Sequence, residues 1–347
     1  MNRCLLIAIM ALGSADAQEL PTDGTLLAPK AFRAAVAKVR PHVVRIEGFG
    51  GVTGVAGGRY PSPGEGPTTG VIVSADGFVV TSTFNFLKKP PVITVVLADG
   101  KRHVARLLGR DETRKICLLK VDGVADWPVP SIAPRGELKV GHWTVAVGLG
   151  SGAGQPAISV GVVSATSRIS GKAVQTDANT SPANYGGPLV DLDGRVIGIC
   201  VPLTPGVQSE AAGSEWYDSG IGFAVPLDGI EPIYARMKAG ETLRHAFLGV
   251  QLQAFGDPPT GAEVKTVLPE SPAAKAGLAV GDRMIALGGV DILDAAHLQS
   301  VLHRHLAGDK LEIRLARGSE QIAVSAELTA PPAPAAKSKS SDRPSAK

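Results

Sequence analysis

The feature that most restricts the fold of this chain is a long succession of short apolar segments typical of β-strands. Between positions 71 and 226 they follow one another at even spacing, separated by turns such as the Asp-Gly pairs at 76–77 and 99–100. No helical repeat interrupts them, which favours an antiparallel barrel or sandwich. They form two clusters, from VIVSA to ICLLKVD and from HWTVAVG to GIGFAVP, so the sequence predicts two β-barrels.

The composition of the 347 residues fits this interpretation. Hydrophobic residues make up 44% of the chain and charged residues 19%, which is typical of a globular protein. Glycine (42) and proline (26) are abundant while aromatic residues reach only 4%, a balance that favours strands and turns over a helical bundle. A formal net charge of +3 is too small to indicate nucleic acid as a partner.

The first 17 residues are typical of a signal peptide. Arg3 precedes the apolar run CLLIAIMALG, and small residues at 15 and 17 mark a cleavage site after Ala17. The run is too short to span a bilayer, so we expect no stable membrane insertion; the alternative is a buried N-terminal helix. The sequence therefore predicts an exported protein, secreted or periplasmic. Residues 18–44 form an N-terminal segment that changes from helical to strand-like spacing at Pro41.

Two cysteines remain after cleavage, Cys117 and Cys200, each within an apolar, strand-like run. Buried thiols are the simpler interpretation, and a disulfide is the alternative that an exported protein permits. No group of cysteines and histidines has the spacing of metal ligands. We therefore expect neither a metal nor a cofactor.

The pattern changes after position 228. Residues 229–245 predict a linker helix, and residues 246–328 predict a compact α+β domain. In that domain Asp294 is placed to cap a helix, and a hairpin turns around positions 317 and 318. Residues 329–347 are rich in proline, alanine, lysine and serine, cannot form a core, and are expected to be disordered.

Four segments in order, together with the C-terminal domain, resemble the HtrA/Deg family of exported trypsin-like serine proteases with PDZ domains. The segments are TTGVIVSADGFVVTSTFNF, GRDETRKICLLKV, QTDANTSPANYGGPLVDLDGRVIGI and SGIGFAVP, and the C-terminal domain contributes FLGV and LPESPAAKAGLAVGDRMIALGG. The resemblance implies a mainly β protein: a trypsin-like double β-barrel over residues 45–228, followed by a small α+β PDZ domain over residues 246–328.

The family's activity depends on a serine nucleophile, a histidine base and an aspartate that orients the histidine. Aligned by the resemblance, the histidine position holds Phe84, the aspartate position Lys115 and the serine position Tyr185. Ser82 and Ser181 lie nearby in sequence, but a serine needs a base within hydrogen-bond reach, and only a neutral Lys115 offers one. The resemblance thus implies no catalytic residue. The two rings either fill the cleft or line an altered binding pocket.

PDZ domains bind peptide C termini by adding the peptide as a strand to a sheet edge. The resemblance assigns the carboxylate-binding loop and the pairing strand to Phe247, Leu248, Gly249 and Val250. It assigns the side-chain pocket to one face of the capped helix. Helical spacing places Leu298, Val301, Leu302 and His305 on that face. The pocket is assigned to the first three, and the alternative for each of these is a place in the core.

We therefore expect a pseudoprotease that binds unfolded or C-terminal peptide segments, as a chaperone, scaffold or regulator in protein quality control. The alternative is an active serine endopeptidase of the same family, and a third class is a structural envelope protein with an unused groove. The expected partners are peptides or unfolded proteins. The resemblance also implies assembly, as a homo-trimer or with active relatives, through the N-terminal part of the protease-like domain.

Overall fold

The structure is a computed structural model that describes residues 24–49, 68–87, 89–150, 155–204, 219–253 and 261–332. The predicted signal peptide and most of the predicted disordered tail lie outside these residues. Within them the protein is mainly β, with two six-stranded barrels and a separate C-terminal sheet, which confirms the predicted fold class. No helix among them is long and apolar enough to cross a membrane.

The described chain begins with helix α1 (Gly24–Val39). A 3-10 turn, Arg40–His42, ends it, because the proline in this turn has no N–H to continue the α-helical hydrogen bonds. Strand β1 (Val43–Phe49) follows directly. The change from helical to strand-like spacing therefore lies where the sequence predicts it.

Barrel 1 consists of six antiparallel strands: β1, β2 (Thr68–Ile72), β3 (Phe78–Ser82), β4 (Val92–Val96), β5 (Arg102–Asp111) and β6 (Ile116–Val121). Their order is β5-β4-β1-β2-β3-β6, and pairing between β5 and β6 closes the barrel. Inward-facing apolar side chains, among them Ile46, Val79 and Leu119, fill the interior. A 3-10 turn, Thr83–Phe86, follows β3 and leads toward barrel 2.

Barrel 2 is a second closed sheet of six strands: β7 (Trp143–Gly148), β8 (Ala157–Arg168), β9 (Ala173–Thr176), β10 (Pro188–Val190), β11 (Val196–Val201) and β12 (Gly222–Pro226). Their order around the barrel is β10-β11-β12-β9-β8-β7. The loop at 177–187 joins β9 to β10 and faces barrel 1. The loop ends with Tyr185 and two glycines, and Pro188 begins β10.

Each barrel buries one cysteine. Cys117 lies in β6 and Cys200 in β11, and both are free thiols with no exposed surface. Burial raises the pKa of each thiol to about 12. The structure thus contains the buried thiols that the apolar runs predict, and not the alternative disulfide.

The segment 229–245, predicted to be a linker helix, is only partly helical. Helix α2 (Glu231–Lys238) ends before Gly240, whose φ is 86°, and a two-residue strand, β13 (Thr242–Leu243), follows. β13 pairs in parallel with β5 of barrel 1. The predicted helix is too long because this long-range pairing, which local spacing does not reveal, determines the conformation of its last residues.

The C-terminal domain is a twisted sheet with two short helices. Its elements are β14 (Val250–Leu252), β15 (Ala262–Val267), α3 (Pro272–Lys275), β16 (Arg283–Leu287), β17 (Val290–Asp291), α4 (Ala295–Leu302), β18 (Lys310–Arg317) and β19 (Glu320–Glu327). The sheet order is β14-β15-β16-β18-β19, so β14 is an edge strand. The Asp294 side chain accepts a hydrogen bond from the His297 N–H at 2.7 Å and caps α4 as predicted. Since α4 ends at Leu302, His305 lies beyond the helix and not on its face.

Candidate functional site

The three positions assigned to the triad lie close together, where barrel 1 meets barrel 2. Phe84 comes from the turn after β3, and Tyr185 comes from the loop before β10. Their rings pack edge to face, with centroids 5.3 Å apart and an interplanar angle of 78°. Both side chains are buried, with 2% and 1% of their surface exposed. The space between the barrels at this point is therefore filled by aromatic carbon.

The backbone of Lys115 lies against the turn that carries Phe84. Its carbonyl accepts a hydrogen bond from the Thr83 N–H at 2.9 Å and another from the Ser82 hydroxyl at 3.3 Å. Lys115 is buried and has a left-handed φ of 55°, a conformation that non-glycine residues adopt mainly under local constraint. The constraint is the preceding turn, in which the Asp111 carboxylate accepts hydrogen bonds from the Arg114 N–H at 3.1 Å and the Arg114 guanidinium at 2.8 Å.

The loop around Tyr185 does not present free N–H donors. The Ser181 carbonyl accepts hydrogen bonds from the N–H groups of Asn184 and Tyr185, both at 3.0 Å. The Ala183 N–H donates to the Ser181 hydroxyl at 3.3 Å. An oxyanion hole needs backbone N–H groups aimed at the substrate oxygen, beside the nucleophile. In this conformation the N–H groups of Ala183, Asn184 and Tyr185 are bonded within their own loop, and the Gly186 N–H donates to the Cys200 carbonyl of β11 at 2.8 Å.

Neither nearby serine has a histidine partner. The Ser82 hydroxyl caps the turn by accepting from the Phe84 N–H at 3.3 Å, and Ser181 holds the loop as just described. His103, the nearest downstream histidine in sequence, packs against Trp127 with ring centroids 5.5 Å apart. Across the described ranges, no serine, threonine or cysteine side chain forms a hydrogen bond with a histidine.

A buried polar network that the sequence did not reveal joins the two barrels beside the rings. The Asn85 amide donates to the Thr81 hydroxyl at 2.9 Å and to the Tyr185 carbonyl at 3.2 Å. Gly186 must be glycine, because its φ is 87° and a Cβ there would lie 2.3 Å from the Thr69 carbonyl oxygen. The signal available in the sequence was the position of Asn85 directly after Phe84.

The second candidate site is the edge of the C-terminal sheet. Gly249 precedes β14 with a φ of 84°, and a Cβ there would lie 2.2 Å from the Ser271 Cβ. The carbonyls of Leu248 and Gly249 are fixed by the N–H groups of Ala273 and Leu268, at 2.9 Å each. In the described part of the chain, the Leu248 and Gly249 N–H groups donate to no other group. Unpaired N–H groups at a sheet edge can bind a carboxylate.

The predicted groove residues divide into two kinds. Those in the core of the C-terminal domain are Leu248, Leu298 and Val301. Those that remain partly accessible are Phe247, Val250 and Leu302. The three buried residues pack in the core, which is the alternative that the sequence left open. The three partly accessible residues can contact a ligand. No cluster of metal-binding side chains occurs among the described residues.

Two known domain families match this chain, and the residues that they match agree with the division into two barrels and a C-terminal sheet. Residues 68–199 match the trypsin-like peptidase domain, and residues 246–328 match the PDZ domain. The two matches correspond to the two barrels and to the C-terminal sheet.

Individual relatives match about three quarters of this chain. A probable periplasmic serine endoprotease DegP-like from Marinomonas sp. (strain MWYL1) is 32% identical, over 76% of this chain and 57% of the relative. The periplasmic serine endoprotease DegP of Escherichia coli (strain K12) is 33% identical, over 75% of this chain and 56% of the relative. The chain thus spans a little over half the length of the curated relatives it matches.

Among solved structures, the HtrA-type protease AlgW with a tripeptide superposes with a TM-score of 0.66 and 25% sequence identity. The superposition covers 87% of this chain and 98% of that one. Sequence, domain order and fold thus agree. The chain belongs to the HtrA/Deg family, in which a trypsin-like peptidase domain is followed by a PDZ domain.

Proposed function

We propose that this protein is an HtrA-family pseudoprotease that binds unfolded or C-terminal peptide segments. The observation that supports this best is the buried ring pair of Phe84 and Tyr185, which fills the place where the family's base and nucleophile would meet. Nucleophilic attack by serine requires a base in contact with the hydroxyl. A phenol with a pKa near ~10 and no such base is a poor acyl acceptor.

The expected loss of catalysis is large. Removing the members of a serine protease triad lowers kcat by about a millionfold, and the remaining rate comes from the oxyanion hole and substrate binding. Here the Tyr185 N–H donates to the Ser181 carbonyl and the Ala183 N–H to the Ser181 hydroxyl instead. Even that remaining contribution is therefore expected to be small.

Peptide binding is assigned to the PDZ domain. A peptide added along β14 would form main-chain hydrogen bonds with the edge strand, and its terminal carboxylate would accept from the Leu248 and Gly249 N–H groups. Phe247, Val250 and Leu302 are accessible enough to contact its side chains. The relative AlgW was solved with peptides, which supports the same class of ligand here.

A fluorophosphonate probe tests the catalytic half of this proposal, since it labels serines activated by a base. We expect no covalent adduct on the full chain in mass spectrometry, under conditions that label a trypsin control completely. Labelling of any serine in the cleft would contradict the proposal and support the second candidate function, an active serine endopeptidase. The names of the curated relatives favour that candidate.

Fluorescence anisotropy with fluorescein-labelled peptides tests the binding half. We expect peptides with a free carboxyl terminus to bind, and the same peptides with an amidated terminus to bind at least ~10-fold more weakly, since the charge-assisted hydrogen bonds are lost. Leu302→Arg should abolish binding. Val280→Arg, at an apolar position of the same domain that is 68% exposed, is the matched control. Equal binding by both variants would place the peptide outside this groove, and absence of binding to the unmodified chain would favour a structural protein with an unused groove.

Export and assembly belong to the same proposal. The apolar N terminus with its cleavage site after Ala17 and the periplasmic relatives support a periplasmic location. We propose assembly as a homo-trimer or with active relatives, as expected from the family. Light scattering on the purified chain, alone and mixed with an active relative, tests this directly.

A further inference from the structure

A basic cavity of about 640 Å³ lies between the protease-like domain and the PDZ domain. One wall is the turn at 167–172, which joins β8 to β9, and a second is Arg114 from the turn before β6. Ser300 of α4 and Arg304 just after it form the PDZ wall. The cavity is lined by five cationic side chains, those of Arg114, Arg135, Arg168, Lys172 and Arg304.

These cations exceed the acidic groups that could balance them. Arg114 pairs with Asp111 at 2.8 Å. For the other four cationic side chains, the described residues include no carboxylate within ion-pair distance. Because Arg304 belongs to the PDZ domain and the rest to the protease-like domain, like charges face each other across the domain junction. This arrangement is unfavourable unless an anion lies between them.

Lys172 is the most unusual member of the cluster, because only 5% of its surface is exposed. Burying an ammonium group without a counter-ion is costly. Burial, together with the charge of Arg114, lowers the pKa of Lys172 to about 8, so the side chain is still mostly charged at neutral pH. No hydrogen bond from its ammonium group to another described residue occurs. The group lines the cavity instead.

The turn that carries Lys172 is held in a constrained shape. Ile169, Ser170 and Gly171 all have left-handed φ angles, of 52°, 54° and 83°. The Arg135 guanidinium fixes the turn by donating to the Gly171 carbonyl at 2.9 Å. Two consecutive non-glycine residues in this region are unfavourable, and such constraint is most frequent at ligand sites and switches.

We propose that this cavity binds a multiply charged, phosphate-bearing anion that bridges the protease-like and PDZ domains. Arginine guanidinium groups donate in pairs to phosphate oxygens, and the hydroxyls of Ser167, Ser170 and Ser300 supply further donors at the rim. The volume lies in the range of small-molecule pockets, which fits an oligophosphate or a phosphorylated headgroup better than a single phosphate ion. With the anion bound, the cationic side chains of both domains are attracted to it, which offsets the repulsion between Arg304 and the cations of the protease-like domain.

Isothermal titration calorimetry and thermal unfolding of the full chain with sodium tripolyphosphate test the proposal in phosphate-free, low-salt buffer. We expect saturable binding and a rise in Tm. Lys172→Gln and Arg304→Gln should each weaken binding at least ~10-fold, because each removes a charge-assisted contact. Lys101→Gln, which changes the net charge equally at an exposed site outside the cavity, should not.

A second experiment distinguishes a soluble ligand from a lipid headgroup. Sedimentation with phosphatidylcholine vesicles, with and without phosphatidylglycerol, is compared for the same variants. Binding of tripolyphosphate that depends on Lys172 and Arg304 supports a soluble ligand, and vesicle binding that depends on them supports a headgroup. Absence of binding in both experiments overturns the proposal. So does binding that Lys101→Gln weakens as much as the cavity variants do.

Discussion

At the scale of single residues, the cleft between the barrels depends on the two rings at positions 84 and 185. Their edge-to-face contact, with centroids 5.3 Å apart, has the geometry in which aromatic pairs stabilise proteins beyond simple burial. Asn85 and Gly186, the next residue after each ring, complete the contact between the barrels through the Tyr185 carbonyl and the Thr81 side chain. The residues at this site are therefore suited to holding two barrels together.

Restoring a serine at position 185 should not restore proteolysis. In the Tyr185→Ser variant a histidine base is still absent, and the N–H groups of Ala183, Asn184 and position 185 still donate to Ser181, so we expect no hydrolysis of unfolded casein. The measurement is release of fluorescent peptides from labelled casein over a day. Tyr185→Phe keeps the ring and serves as the control for folding. Measurable hydrolysis by the serine variant alone would contradict the assignment of these positions.

The ring contact itself should be measurable by a double-mutant cycle. With Phe84→Leu and Tyr185→Leu, singly and combined, we expect a coupling free energy of about 1 kcal/mol in urea unfolding, because the contact exists only when both rings are present. The control cycle combines Phe84→Leu with Trp127→Leu. Trp127 packs against His103, so this pair should show a coupling free energy near zero. A coupling near zero for the 84–185 pair would mean that the rings do not stabilise each other.

At the scale of elements, the edge of the PDZ sheet depends on how closely the loop before β14 approaches α3. The Ser271 side chain caps α3 by accepting from the Ala274 N–H at 3.2 Å, and it also donates to the Leu268 carbonyl at 2.6 Å. Gly249 lies against this cap. The shape of the carboxylate-binding loop and the start of α3 are therefore coupled.

Gly249→Ala should damage this unit far more than a similar change elsewhere. A Cβ at position 249 would lie 2.2 Å from that of Ser271, so we expect a loss of roughly 2–4 kcal/mol in the free energy of unfolding and loss of peptide binding. Gly277→Ala is the matched control, since Gly277 also has a left-handed φ but has open space around it. That variant should cost about 1 kcal/mol. Similar losses in both would exclude steric contact as the cause.

Most strands were predictable from the sequence because their signal is local. Short apolar runs next to Asp-Gly turns mark β3 and β6 as strands, and Asp294 marks the start of α4. β13 was not predictable, since its strand conformation exists only through pairing with β5. The same distinction applies to the site. Motif positions gave residues 84, 115 and 185, whereas the bonds of the Ser181 carbonyl depend on a loop conformation that spacing does not specify.

At the scale of the whole molecule, the junction between the two domains is rich in groups that resist protonation. His245, beside β13, has a buried Nδ1 without a hydrogen-bond partner among the described residues, and its ring lies 6.1 Å from that of His303. Burial, then the charges of Lys172 and His303, lower the pKa of His245 to about 4; Asp111 opposes this, and Arg114 adds a smaller lowering effect.

The protein should therefore lose stability as the pH falls from about 6.5 toward 4. In this window the unfolded chain binds a proton at His245 and the folded chain does not, so the free energy of unfolding decreases, by about 1–2 kcal/mol once solvent screening of the partly exposed ring is allowed for. Urea unfolding at pH 7 and pH 4.5 measures the difference. His245→Gln should reduce it, while His142→Gln, at an exposed position in barrel 2, should leave it unchanged. An unaltered pH dependence in His245→Gln would mean that other groups cause the loss.

Because each barrel contains one buried thiol, the opening of each barrel can be measured independently of the other. An alkylating reagent can reach Cys117 only when barrel 1 opens and Cys200 only when barrel 2 opens, because neither sulfur is accessible in the closed state. Peptide mapping after timed alkylation would then give one opening rate for each half of the cleft. In an oxidising compartment, these rates also set how long each cysteine stays reduced.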